Sequence, residues 1–189
     1  MNASQIVDAL KQKFGAAVTG SREHLSEQTL TVKLEALKPL LKYGRDEMGF
    51  DYLVDVSSVD NFETEPRFEM VYELYGYGHN QHLRVKANVS EDESVPTVSD
   101  IWPTANWHER EVYDMMGITF DGHPDLRRIL MWEGYPFFPL RKDFPLAGKP
   151  SEMPEVAFTG IAPLGGGPFV TSPGTCGTVD AEPRAKRFD

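Results

Sequence analysis

The sequence predicts an α+β fold: a mixed, mostly antiparallel sheet with helices packed on one face, followed by a long irregular C-terminal arm. Three observations lead there. Short β-branched, alternating runs recur between Thr29 and Ser90, amphipathic helical runs precede, interrupt and follow them, and beyond Leu130 proline and glycine replace both.

Taken in order, "MNASQIVDALKQKFG" places Ile6, Leu10 and Phe14 on one side of a first helix. It has no basic start followed by an apolar core, so it does not read as a signal peptide. "TLTVKL" (Thr29 to Leu34) alternates and reads as a strand. "EALKPLLKYGRDEMG" is a helix with Pro39 near its first turn and Gly49 as its stop. "FDYLVDVSSVD", "RFEMVYELYGY" and "QHLRVKANVS" supply three more strands, the last two joined through Gly78, His79 and Asn80. A final helix is expected from Asn106, as its cap, to Met116, ended by Gly117.

This divides the chain into an α+β body, residues 1–130, and an extended arm, residues 131–189. The arm holds nine of the 14 prolines and eight of the 16 glycines. That density is where irregular sequence is expected. Its apolar side chains, among them Phe158, Ile161, Phe169 and Phe188, are too widely spaced to build a core, and suit separate pockets on a partner. Basic Arg184, Lys186 and Arg187 near its end suit acidic neighbours.

Composition excludes several functions. A net charge of -10 argues against non-specific nucleic-acid binding, which needs a basic face. No apolar run approaches the ~20 residues of a spanning helix. A single cysteine, Cys176, permits neither an internal disulfide nor a four-thiolate metal centre, and a cytosol-facing protein is the default. "PLGGGPF" is flanked by prolines and is no dinucleotide loop; Gly148-Lys149 precedes Pro150, so there is no phosphate loop; H-E-x-x-H is absent.

The densest chemistry lies in "WHEREVYDMMGITFDGHPDLRRIL" (Trp107 to Leu130). On a helical wheel Val112 and Met116 mark an apolar face, and Glu109 projects onto it beside Tyr113 and His108. Arg110, Glu111 and Asp114 fall on the opposite side, near Trp107. A lone buried carboxylate costs several kcal/mol, so Glu109 needs a partner, and Arg127 or Arg128 is the expected one. A metal-dependent hydrolase using His108, Glu109, Asp121 and His123 is a rival from another class. Their spacing matches no known mechanism, and "GHPD" also reads as a plain turn.

"EREVYDMMGITFDGHPDLRRIL" resembles, position by position, the signature of the 30-kilodalton-type, or C, subunit of proton-translocating NADH–quinone oxidoreductase (respiratory complex I). Glu109, Arg110, Glu111, Asp114, Met115, Met116, His123 and Arg127 fill its places, with Arg128 beside them. "PLRKDFPLAG", carrying Arg141, Lys142 and Asp143, is similar to a second segment of that family. Between them "MWEGYPFF" departs from the commoner Pro-Asp-Asp-Trp-Glu-Gly-His link.

The resemblance implies a subunit of the water-exposed arm that binds no cofactor or metal itself and has no catalytic residue. FMN and iron–sulfur clusters would sit in partner subunits, which pass electrons from NADH to quinone and couple this to proton translocation. It implies quinone-site and cluster-bearing neighbours, and a peripheral position on the cytoplasmic face of the bacterial inner membrane. The same signature extends to the equivalent subunit of a related membrane-bound hydrogenase or another non-NADH dehydrogenase. The signature residues then have a structural and interface role.

Overall fold

In a computed structural model, residues 3–25 and 27–146 are described. The expectations placed on residues 147–189, including Cys176 and the spaced apolar and basic anchors, lie outside them.

The element order is α1 (Ala3–Phe14), β1 (Val18–His24), β2 (Glu27–Val32), α2 (Leu34–Asp46), β3 (Tyr52–Asp60), β4 (Phe68–Gly76), β5 (Gln81–Val89), β6 (Val95–Pro96), α3 (Ala105–Met116) and β7 (Phe120–Asp121). Five strands form one sheet in the order β1-β2-β5-β4-β3, and β6 pairs with β7 apart from it. Within the large sheet only β2 and β5 are parallel; the other pairs are antiparallel. The mixed, mostly antiparallel α+β architecture is therefore as expected.

Alternation decides which face is covered. Leu30 faces Val85, Val85 faces Tyr72, and Leu83 faces Leu74 across adjacent strands, and all five are buried. Against this face lie Ile6, Val7 and Leu10 of α1, Leu37, Leu40 and Leu41 of α2, and Val112 of α3. The alternate positions form the other face. Arg84 bonds Glu73 and reaches Glu27, and Lys86 bonds Glu69 at 2.7 Å, cross-strand ion pairs on a surface that no helix covers among the described residues.

Several element boundaries differ from expectation. β1, "VTGSREH", has no apolar alternation and is not expected from the sequence; it is an exposed edge held by ladder bonds to β2. The first predicted strand starts two residues earlier, at Glu27. α2 ends at Asp46, and Gly49 (φ 78°) follows three residues later, while Pro39 sits inside the helix rather than in its first turn. α3 begins at Ala105, so Asn106 is not its cap; the Asn106 carbonyl instead receives a bond from His123.

Residues 131–146, assigned to the arm, carry no helix or strand but return to the body. The Leu140 amide donates to the Met115 carbonyl at 3.1 Å, and Tyr135 is buried.

Gly117 makes that return possible. It adopts φ 79° at the end of α3, and its amide closes on the Tyr113 carbonyl at 2.9 Å. A Cβ there would stand 2.7 Å from the Phe138 ring and 2.8 Å from Arg141. Gly117→Ala therefore adds backbone strain to a clash and should cost about 3 kcal/mol in denaturant unfolding. A loss near zero would show that the chain after α3 moves aside freely.

Candidate functional site

The signature residues converge on α3, but in three separate constellations. The first is internal. Glu109 has no exposed surface, and its carboxyl accepts the Val98 amide at 2.7 Å and the Thr97 hydroxyl at 2.5 Å. Neither Arg127 nor Arg128 pairs with it, contrary to expectation. The loop before α3 brings hydroxyl and amide donors to the carboxyl, so no guanidinium needs to enter the core. Desolvation by burial pushes Glu109 up to about 7, against which the Thr97 and Val98 bonds pull down. Burial and then the Glu109 carboxyl push the fully buried Tyr72 phenol well above its usual range.

His123 closes this pocket. Its Nδ1 accepts the Asp125 amide at 3.0 Å, which leaves Nε2 to donate to the Asn106 carbonyl at 3.2 Å. Nε2 also lies 3.8 Å from the Glu109 carboxyl. The turn reading of "GHPD" holds: the ring ties the turn to the start of α3.

The second constellation lies on the side of α3 expected to be charged and open. Of its charged residues only Glu111 is exposed, beside the exposed Trp107 ring. Asp114 has no exposed surface and Arg110 is 7% exposed, because residues 127–131 run along this side of the helix. Asp114 Oδ2 accepts three successive amides, Ile129 at 3.0 Å, Leu130 at 2.7 Å and Met131 at 2.7 Å. Its Oδ1 accepts from Arg128 at 2.5 Å. Arg110 donates to the carbonyls of Arg127 and Arg128 at 3.1 and 3.2 Å, with its guanidinium against the Trp107 ring. Arg127 itself points out and pairs with Asp125 at the surface.

Sequence spacing shows a carboxylate and an arginine one turn apart on a helix. It does not show that both bond to backbone some seventeen residues downstream.

The third constellation joins the two signature segments. Arg67 makes a two-pronged bond to the buried Asp60 carboxylate, both arms at 2.9 Å, and reaches Glu91 and Asp143 as well. The Arg67 guanidinium holds Asp60 below its usual carboxylate range, and Asp60 in turn raises Arg67. Arg141 donates to the Met116 carbonyl at 2.6 Å and to Glu91 at 2.5 Å. Lys142 contributes only its backbone amide, to Asp60 at 2.7 Å. Sequence reasoning misses Asp60, Arg67 and Glu91; a buried Asp ending one strand and an Arg opening the next is the available signal.

The four hydrolase candidates do not meet. His108 pairs with Asp55 at 3.0 Å, Glu109 and His123 line the inner pocket, and Asp121 is exposed on β7. Among the described residues no group of three or more His, Cys, Asp or Glu side chains is placed to hold a metal.

Two measurements test this geometry. Glu109→Ala strands the Val98 amide in the core, leaves the Thr97 hydroxyl only its Ser99 contacts and opens a cavity, and should cost about 3 kcal/mol. Glu111→Ala, on the exposed side, should cost under ~1 kcal/mol. Equal small losses would contradict the placement.

Glu109 also sets a pH dependence. A folded value raised from 4.5 to about 7 gives stability that is full below 4.5 and lost as pH rises through 7. Between about pH 5 and 8 this loss amounts to about 2–3 kcal/mol, and Glu109→Gln should remove most of that slope. The Asp60 effect runs the other way and lies lower, being lost only as pH falls below the usual carboxylate range. Parallel pH profiles for wild type and Glu109→Gln would refute the assignment.

Comparison with known proteins covers these same segments. A family model described as respiratory-chain NADH dehydrogenase, 30 Kd subunit, matches residues 30–150. The C subunit of NADH-quinone oxidoreductase from Sinorhizobium medicae is 46% identical over 147 residues, 77% of this chain and 73% of the relative. Its counterpart from Geobacter sulfurreducens is 44% identical over 151 residues, 79% of this chain and 93% of the relative. Among solved structures, a chain of the membrane-bound sulfane sulfur reductase, an archaeal respiratory membrane complex, aligns with TM-score 0.66 and 25% identity. The alignment spans 76% of this chain and 85% of that one. The fold, the placement of both charged segments and these relatives agree: the chain belongs to the family of the 30-kilodalton subunit of respiratory-chain NADH dehydrogenase.

Proposed function

We propose that this chain is a non-redox core subunit of the hydrophilic arm of an NADH–quinone oxidoreductase. In this reading partner subunits hold FMN and the iron–sulfur clusters, electrons pass from NADH to quinone, and the transfer is coupled to proton translocation. The chain itself binds no cofactor and contributes no catalytic group. It lies at the cytoplasmic face of the bacterial inner membrane and is held there by its neighbours, the quinone-site and cluster-bearing subunits.

One observation carries the reading: the charged signature groups, apart from Glu111, Lys142 and the surface-facing Arg127, are bonded to distant parts of the chain's own backbone and side chains. Glu109, Arg110, Asp114, Arg128 and Arg141 each hold one segment against another. A site that does chemistry on a substrate needs polar groups aimed at open space. Here they aim inward, and no helix among the described residues is long and apolar enough to cross a membrane.

A second reading has its own support. The likeness to a sulfane sulfur reductase complex fits the equivalent subunit of a membrane-bound reductase or hydrogenase with a donor other than NADH. The two differ in the electron-input subunit.

Purification of the tagged chain from membranes in mild detergent tests both. The expected result is co-purification with flavin- and cluster-bearing subunits in a preparation that reduces quinone with NADH, while the isolated chain lacks flavin, iron and zinc and does not oxidise NADH. A preparation that uses another donor favours the second reading. Stoichiometric metal or NADH oxidation by the chain alone contradicts both.

A further inference from the structure

The face of the large sheet that no described helix covers ends in a row of aromatic rings. Tyr52 on β3 stands opposite Tyr75 on β4, and Tyr75 stands opposite His82 on β5. Tyr77 extends the row past the strand end. The ring centroids of Tyr75 and Tyr77 are 4.9 Å apart, those of Tyr52 and Tyr77 5.8 Å, and those of Tyr75 and His82 4.7 Å. Tyr77 is 64% exposed, Tyr52 43% and the nearby Val54 39%. The rings are held in place: the Tyr75 hydroxyl bonds Asn80 at 2.5 Å, and Asp51 accepts the Tyr77 amide at 3.1 Å. Rigid, exposed tyrosines lose little side-chain freedom on binding, which is the usual character of an interface anchor.

The charges around the row give its partner a sign. Farther down the face Arg84 is bonded to Glu73 and Glu27, and Lys86 to Glu69. Beside the rings stand two carboxylates, Asp51 and Asp55. Asp51 has no ion-pair partner among the described residues, and Asp55 meets only the His108 imidazole. The rings meet edge-on or tilted rather than stacked, which leaves tyrosine faces open; such faces attract a guanidinium or ammonium group, and the adjacent carboxylates strengthen that preference. The net charge of -10 favours the same sign of partner over long range and disfavours a second copy of this chain.

We propose that this end of the open sheet face docks an arginine- or lysine-bearing segment of a neighbouring subunit, with the tyrosine rings receiving the cation and Asp51 and Asp55 flanking it. The inference rests on the reading of the chain as a subunit of a membrane-associated complex, and it names the surface and the chemistry of one contact.

The test uses the full chain in its complex. A photo-reactive phenylalanine analogue in place of Tyr77 should cross-link to a neighbouring subunit, at a peptide containing Arg or Lys. In native gels Tyr52→Ala with Tyr77→Ala should lower incorporation of the chain by about tenfold or more. Tyr52→Phe with Tyr77→Phe should restore it, because the ring faces remain. The phenylalanine pair should leave the melting temperature of the isolated chain unchanged, and the alanine pair, which loses the ring contacts, should lower it by only about a few degrees.

A cross-link to a second copy, or no cross-link in a complex that contains the chain, overturns the proposal. So does full incorporation of the alanine pair, or failure of the phenylalanine pair to restore it. A wild-type chain absent from any membrane complex overturns the functional reading along with it; a wild-type chain present beside equally present variants overturns the docking surface alone.

Discussion

A single carboxylate, that of Asp114, decides how residues 128–131 lie along α3. Three consecutive amides and one guanidinium converge on it in a place without solvent. The peptide segment that supplies the amides has no strand or helix to satisfy them otherwise, and an unpaired buried amide costs about 1–3 kcal/mol. Asp114 thus acts for residues 129–131 as a neighbouring strand would. The same residue has its own carbonyl capped by Arg128 at 3.0 Å.

The end of α3 extends this logic. Its last four carbonyls, with no partner inside the helix, are each met: Tyr113 by the Gly117 amide, Asp114 by Arg128, Met115 by the Leu140 amide and Met116 by Arg141. Two of the four caps are cations at the negative end of the helix dipole, which adds to the hydrogen bonds. From Arg141 the network passes to Glu91 and so to Arg67 and Asp60 at the end of the sheet. Helix α3, the strap of residues 127–146 that returns to the body, and the sheet end are tied by groups that point inward. Such a framework spends its charged groups on the chain's own segments.

Much of the body is legible in the sequence because its signals are local. Alternation in "RFEMVYELYGY" and "QHLRVKANVS" marks β4 and β5, and Val112 with Met116 marks the inward side of α3. The burial of Glu109 follows from the same wheel. What the wheel does not contain is the partner. Thr97 and Val98 reach Glu109 through a loop whose path depends on β6 and β7, two-residue strands without a periodic signal. The charged side of α3 misleads for a related reason: Arg110 and Asp114 look solvated until residues 127–131 are laid over them. Polar edge strand β1 escapes notice because ladder bonds, not apolar packing, hold it.

Whether Asp114 anchors the strap is the question on which this architecture turns. Native-state hydrogen exchange of the Ile129, Leu130 and Met131 amides measures it directly, in wild type and in Asp114→Ala. The expected result is slow exchange of all three in wild type, and in the variant a collapse of their protection while the amides of β4 and β5 stay slow. If the three amides exchange rapidly in wild type, or remain protected without the carboxylate, the strap is held by something other than Asp114.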